Sequence, residues 1–230
     1  VKNYKHIFFD LDHTLWDYEK NAKETLFELH VLFELSNFNI LQEKLLEVYR
    51  LVNFELWRSY NKGLVNKEEL REIRFFKTLG HLGIKDRLLA AKMENAFLEI
   101  CPKKPHVLPN SIEILEYLKE KYVMHIITNG FKGSTESKMV NSGLKPYFKE
   151  TITSECIGIT KPNAAIFEYA IKIAGTNAKE SIMIGDNPET DIQGAFNSGM
   201  DRIHFNPENR ACKVEMNHSI SDLIELKNHL

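Results

Sequence analysis

The stretch from Glu19 to Cys101 constrains the fold more than any other part of this sequence. Apolar residues recur there every three or four positions, as in Leu26, Leu29 and Phe33, and again in Leu45, Val48, Val52 and Leu56. That spacing belongs to amphipathic helices packed along one face. No strand-like run interrupts it. Further helices are expected over 67–79 and 85–100, punctuated by Gly63, Gly80 and Gly83. Asn66 followed by Glu68 and Glu69 reads as a helix start.

The flanks have a different texture. Upstream, His6-Ile7-Phe8-Phe9 is a short apolar run that stops at Asp10-Leu11-Asp12. Such a run reads as a strand covered on both faces, as in a parallel sheet. Downstream, Pro102, Pro105 and Pro109 exclude a helix interior and mark a stiff connector. Beyond it, helices at 111–122, 134–142, 163–174 and 190–198 alternate with strands at 123–128, 150–154, 181–185 and 202–205. Ser221 is expected to cap a last helix. Alternation of this kind implies parallel βαβ units. The expected organisation is an α/β core of residues 1–16 and 105–230, with an all-helical domain of residues 17–104 inserted after the first strand.

Bulk properties narrow the function classes. At 230 residues, 43% hydrophobic and 27% charged, the chain can bury a core of ordinary size. A formal net charge of −2 provides no basic field to collect a nucleic acid polymer or an anionic membrane. A small phosphorylated metabolite is still a fitting partner, because local charges and backbone N–H groups capture it. No apolar run approaches the roughly 18 residues of a membrane span. The N-terminus reaches Asp10 and Asp12 too soon for a secretory signal, so a cytoplasmic location is expected. Cys101, Cys156 and Cys212 are widely separated and read as free core thiols in a reducing compartment. Monomer and homodimer both remain open.

The chemistry-bearing residues fall at strand ends, where open α/β sheets bind ligands. Asp10 and Asp12 follow the first strand, Thr128-Asn129-Gly130 follows the second, Lys161 precedes a helix, and Asp186 follows the strand 181–185. With Asp191 nearby, these carboxylates repel one another unless a hard cation joins them. Mg²⁺ takes oxygen ligands and commonly shares them with substrate phosphate. Phosphoryl transfer is mostly positioning and charge stabilisation, for which the Thr128 hydroxyl, the backbone N–H groups after it and the Lys161 ammonium are suited. Asp186 and Asp191 as mere helix-start residues is the competing reading.

This set resembles the haloacid dehalogenase (HAD) superfamily. FFDLDHTLWD is similar to its DxDxT signature, IITNG to its second motif, ITKP to its third and GDNPETD to its fourth, in the family's order and across essentially the whole chain. The resemblance implies a Rossmann-like core with a helical cap. It implies that Asp10 is the nucleophile, forming an aspartyl-phosphate, and that Asp12 serves as general acid and then base. Mg²⁺ would be held by Asp10, the backbone carbonyl of Asp12 and Asp186, with Asp191 assisting. Thr128 and Lys161 would bind the phosphoryl oxygens, with Asn129 and Gly130 beside them.

The alternatives differ in class. The dehalogenases of the superfamily lack a counterpart of Asp12 and need no metal, so Asp12 argues against that reaction. A phosphomutase or a phosphatase of sugar phosphates shares the core residues. A non-catalytic phosphate-binding module would have lost the nucleophile or the metal ligands. Within the phosphatases, LWRSYNKGLVNKEELREIRF, ICPKKPHVLPNSIEIL and IITNGF resemble bacterial pyrimidine 5′-nucleotidases, which implies substrates such as UMP, dUMP or dTMP. Trp16, Trp57, Tyr60 and Phe131 have the flat apolar surface a base needs, but core packing is the expected fate of each. Arg58 and Arg74 are expected as solvated charges. The cap is expected to close over the site about linkers near 16–18 and 102–109.

Overall fold

A computed structural model describes residues 3–230, which divide into two compact units, residues 3–18 with 105–230, and Glu19–Lys104. The helical unit carries α1 (Tyr18–Leu32), α2 (Gln42–Asn61), α3 (Lys67–His81) and α4 (Arg87–Ile100). Along α2 the buried face is Leu45, Val48, Tyr49, Val52 and Leu56, the helical period read from the sequence. Helix α3 opens with a reciprocal capping box. The Glu69 N–H donates to Asn66 Oδ1 at 2.9 Å, and the Asn66 N–H donates to Glu69 Oε2 at 2.8 Å. Gly80 lies inside α3 rather than ending it. Trp57 and Tyr60 pack against Val48, Val52, Leu56 and Leu70.

Arg74 departs from its expected solvated role. It is buried, and its guanidinium donates from Nε to Glu94 Oε2 at 3.0 Å and from Nη2 to Glu94 Oε1 at 2.6 Å. A further N–H reaches Asn53 Oδ1 at 3.3 Å, and the group lies 4.9 Å from the Phe97 ring centroid. The periodicity of α3 puts Arg74 on its inner face, and only there do α2 and α4 supply the partners that make burial tolerable.

The α/β unit is built on β1 (His6–Phe9), β2 (Val123–Thr128), β3 (Glu150–Thr153), β4 (Ser181–Gly185), β5 (Asp201–Phe205) and β6 (His218–Ile220). They form a parallel sheet in the order β3-β2-β1-β4-β5-β6. Between them run α5 (Ser111–Leu118), α6 (Lys132–Asn141), α7 (Ala164–Ala174) and α8 (Gln193–Asn197). Phe8, Ile127 and Met183 share one face with Ile166, Phe167 and Ala170 of α7. Phe9 meets Phe148 edge to face at 6.1 Å. Burial on both faces is why the strand runs lack a polar alternation.

Several local expectations are revised. Helix α5 ends at Leu118 rather than at 122, and α6 begins two residues early, at Lys132. The helix expected over 190–198 starts as a π-helical turn, Pro188–Ile192, and continues as α8. Strand β6, which no sequence signal marks, is short and mostly exposed. Asp222, not Ser221, caps the last 3₁₀ turn: its carboxylate accepts the Ile224 N–H at 3.0 Å, while Glu225 reaches back to the Asp222 N–H at 2.8 Å. All three cysteines are free, but only Cys101 is buried.

The sequence leaves the α/β unit after β1 and returns at Pro105, and the two passages are tied together. Trp16 bridges Val107 in antiparallel fashion, the Leu108 N–H donates to Leu15 O at 2.8 Å, and the Asp17 N–H donates to His106 O at 3.1 Å. Strand order reverses at β1, with β2 on one side and β4 on the other. The crevice above the β1 and β4 carboxyl ends is where such sheets bind ligands.

Candidate active site

Asp10 is the first residue beyond β1, and its N–H donates to Ile184 O at 2.9 Å, which fixes it beside the end of β4. Asp186 follows β4 directly. The Asp186 N–H donates to Thr14 Oγ1 at 3.1 Å, and that hydroxyl lies 3.1 Å from Asp186 Oδ1 and 3.4 Å from Asp10 Oδ2. Thr14 is thus a hub between the two carboxylates, and the DxDxT pattern contained it without revealing that role. His204, at the end of β5, donates its Nε2–H to the Asp186 carbonyl at 3.0 Å.

Asp191 joins this pair through the turn that follows β4. The Asn187 carboxamide oxygen accepts the Glu189 and Thr190 N–H groups at 2.9 and 3.2 Å, and the Asn187 N–H donates to Asp191 Oδ2 at 3.0 Å. The turn folds the fully buried Asp191 carboxylate onto Gly185, where an added Cβ would lie 2.3 Å from Asp191 Oδ2. Only glycine leaves room there. Oxygens of Asp10, Asp186 and Asp191 consequently lie within 4.8 Å of one another.

Lys161 faces them, with 1% of its surface exposed. Its ammonium donates to Asp10 Oδ1 at 2.6 Å and to Ile127 O at 2.7 Å, and lies 2.6 Å from Asp191 Oδ1. The Asn129 carboxamide clamps its backbone: the Lys161 N–H donates to Asn129 Oδ1 at 2.8 Å, and Asn129 Nδ2 donates to Lys161 O at 3.0 Å. Asn129 therefore holds the Lys161 backbone in place.

The remaining expected residues stand to one side of this triad. The Thr128 hydroxyl accepts the Gly130 N–H at 3.0 Å, so that N–H is already engaged. A Cβ on Gly130 would lie 3.2 Å from Thr128 Oγ1, 3.0 Å from Thr135 Oγ1 and 3.7 Å from Asp12 Oδ2, which places Asp12 and Thr128 around one glycine. The Asp12 carboxylate is gripped by Lys138 of α6, whose Nζ donates to Oδ1 at 2.6 Å and Oδ2 at 2.8 Å. Nothing in the spacing of α6 singled out Lys138.

The charges explain the protonation behaviour. Burial pushes the Asp10 carboxyl up to about 8; the Lys161 ammonium opposes the shift, and Asp191 and Asp186 add to it. Burial likewise lifts Asp186 to about 7, with Asp191 reinforcing it and Thr14 opposing. For Lys161 burial works against the charged form, but the Asp10 and Asp191 carboxylates prevail and hold its pKa above the ordinary lysine value. With all three carboxylates ionised against one ammonium the cluster would carry a formal charge of −2, which is why Asp10 and Asp186 retain protons in the absence of a cation. A hard divalent cation with oxygen ligands fits that donor set and that charge.

The family model for haloacid dehalogenase-like hydrolases matches residues 4–199. The chain belongs to this family. Among its HAD relatives is the pyrimidine 5′-nucleotidase PynA of Streptococcus pneumoniae, 33% identical over 89% of this chain and 84% of that protein. The pyrimidine 5′-nucleotidase YjjG of Escherichia coli is 30% identical over 89% of this chain and 87% of its own length. Among solved structures, the HAD-hydrolase YfnB of Bacillus subtilis, bound to magnesium and described as revealing interdomain movement, covers 100% of this chain and 99% of its own. It has a TM-score of 0.89 and 26% identity. The chain is accordingly a HAD hydrolase with a Rossmann-like parallel core. No helix among the described residues is long and apolar enough to cross a membrane.

Proposed function

We propose that this HAD hydrolase is a Mg²⁺-dependent phosphatase that works through an aspartyl-phosphate on Asp10, acting on small phosphomonoesters of the pyrimidine nucleoside 5′-monophosphate type. The observation that supports the reading is the different surroundings of two carboxylates. Asp10 lies in the buried cluster with Asp186, Asp191 and Lys161, while Asp12 stands outside it on its own ammonium partner. A nucleophile and a separate acid–base group need such different surroundings.

In this reading an Asp10 carboxylate oxygen bonds to phosphorus as the phosphorus–leaving-oxygen bond breaks. Asp12 gives a proton to that departing oxygen. It then takes a proton from the water that attacks the aspartyl-phosphate, releasing phosphate and restoring Asp10. Lys161 and the Thr128 hydroxyl hold the phosphoryl oxygens, with Asn129 fixing Lys161 and Gly130 fixing Thr128. Asp10, the Asp12 backbone carbonyl and Asp186 would hold Mg²⁺, with Asp191 orienting Lys161. When bound, the ion supplies positive charge against the phosphoryl oxygens and keeps Asp10 ionised despite its burial. The helical unit is assigned the choice of leaving group. The nucleotide preference leans on the likeness to PynA and YjjG over most of the chain.

The test is phosphate release, with Mg²⁺ and with chelator, from pyrimidine and purine nucleoside monophosphates, sugar phosphates and p-nitrophenyl phosphate, alongside chloride release from 2-chloropropionate. Metal-dependent release that is strongest on UMP, dUMP or dTMP and vanishes in Asp10→Asn is expected. A preference for sugar phosphates would keep the mechanism and discard the substrate. Chloride release without metal, or no phosphate from any ester, would overturn the mechanism.

A further inference from the structure

Lys138 is an unusual group for a helix such as α6 to bury. It is 7% exposed, and both hydrogen bonds of its ammonium go to one neighbour. Two of its N–H groups meet the two Asp12 oxygens at 2.6 and 2.8 Å. The ammonium also lies 4.5 Å from the Trp16 ring centroid and 5.8 Å from that of Tyr18. Trp16 itself has no exposed surface and is pinned by its bridge to Val107. Desolvating an ammonium is costly, and a surface-level ion pair would not require it. The aromatic faces offset part of the cost. The arrangement therefore fixes the orientation of one carboxylate.

We infer that Lys138 is a positioning residue for Asp12: it locks the Asp12 side chain in the rotamer from which the proton reaches the leaving oxygen. The inference rests on the phosphatase reading above. Asp12 sits on a loop beyond β1 where the next residue, His13, has a left-handed backbone with φ of 65°. A parallel bridge to Trp16 holds the Asp12 backbone, with the His13 N–H donating to Trp16 O at 3.0 Å, but it does not set the Asp12 side-chain rotamer. A free carboxylate there would sample several rotamers, and only one would face the departing oxygen. Lys138 comes from a helix whose first turn closes with the Thr135 N–H donating to Phe131 O at 2.8 Å. It thereby ties the loop after β1 to the helix after β2 through two bonds from one ammonium. Orientation of a reacting group is worth orders of magnitude in rate, and loss of a well-placed proton donor costs about 10²- to 10⁴-fold.

The experiment compares kcat/KM for two substrates in the wild type, Lys138→Met and Lys138→Arg, all with saturating Mg²⁺. One substrate is the best aliphatic phosphomonoester of the panel, whose alkoxide must be protonated as it leaves. The other is p-nitrophenyl phosphate, whose stabilised phenolate leaves without a proton. Lys138→Met keeps the apolar stem against Trp16 and deletes the two bonds to Asp12. It is expected to lower kcat/KM on the aliphatic ester by about 100-fold and on p-nitrophenyl phosphate by less than about threefold. Lys138→Arg, which can still grip both oxygens, is expected to recover most of the loss. Equal losses on both substrates would mean that Lys138 merely holds up the loop, and would overturn the inference, as would no loss on either. Should Lys138→Met fail to fold by its melting curve, Lys138→Gln is measured against the same ratio. An inactive wild type would remove the phosphatase reading itself, whereas an Asp12→Asn variant with undiminished ester hydrolysis would remove the acid–base role of Asp12 and overturn the inference.

Discussion

The Lys161 ammonium donates to the Asp10 carboxylate at 2.6 Å although the two residues stand 151 positions apart in the chain. The same ammonium is 2.6 Å from Asp191, so one cation serves both. Removing it leaves buried carboxylates facing each other. Lys161→Met is expected to lose catalysis by about 10²- to 10³-fold. In chelator at pH 8 it is also expected to lose about 3 kcal/mol of stability. Denaturant unfolding at pH 8 and pH 5 measures this. The deficit shrinks at pH 5, where the raised carboxyls are protonated and no longer repel.

The metal-free protein has a definite pH trend. Asp10 and Asp186 have folded-state pKa values of about 8 and about 7, both above the ordinary aspartate value. Between those limits the folded state binds more protons than the unfolded one, so stability falls as pH rises from about 4 through 8. Unfolding in chelator is expected to show that decline. Mg²⁺ is expected to flatten it and to release protons on binding, which titration calorimetry in buffers of different ionisation enthalpy detects.

His125 has the opposite sign. Its ring is fully buried, stacked on Phe8 at 4.7 Å, and 3.0 Å from His6 Nδ1. Burial first, then His6 and Lys149, lowers its pKa to about 4. The unfolded state therefore takes up a proton below about pH 6.5 that the folded state refuses, and stability is lost as pH falls from about 6.5 towards 4. Wild type minus His125→Phe is expected to differ by roughly 2 kcal/mol more at pH 6.5 than at pH 4, read from paired unfolding curves.

The buried Arg74–Glu94 pair of the helical unit belongs to stability alone in this reading. Glu94→Leu strands the guanidinium and is expected to cost about 3–5 kcal/mol. The double variant Arg74→Met/Glu94→Leu is expected to cost less than either single change. A double-mutant cycle by urea unfolding checks the sign of the coupling.

Sequence alone settled what local rules and residue order control. Burial of both faces of a parallel sheet removes polar alternation, so 6–9, 123–128 and 181–185 read as strands and coincide with β1, β2 and β4. The helical texture of residues 19–101, the connector rich in proline, and the four motifs in order were equally legible. Tertiary structure alone decided which charges are buried together. Arg74 reads as a surface charge until α2 and α4 close around it, and Lys138 is an ordinary helix lysine until α6 lies against the loop after β1. The physical reason is the same for both: periodicity fixes which face of a helix a residue occupies, but an ion pair depends on distances across elements far apart in the chain. Thr14, Asn129 and His204 illustrate it too, since their roles are hydrogen bonds to Asp186 and Lys161 that no spacing encodes.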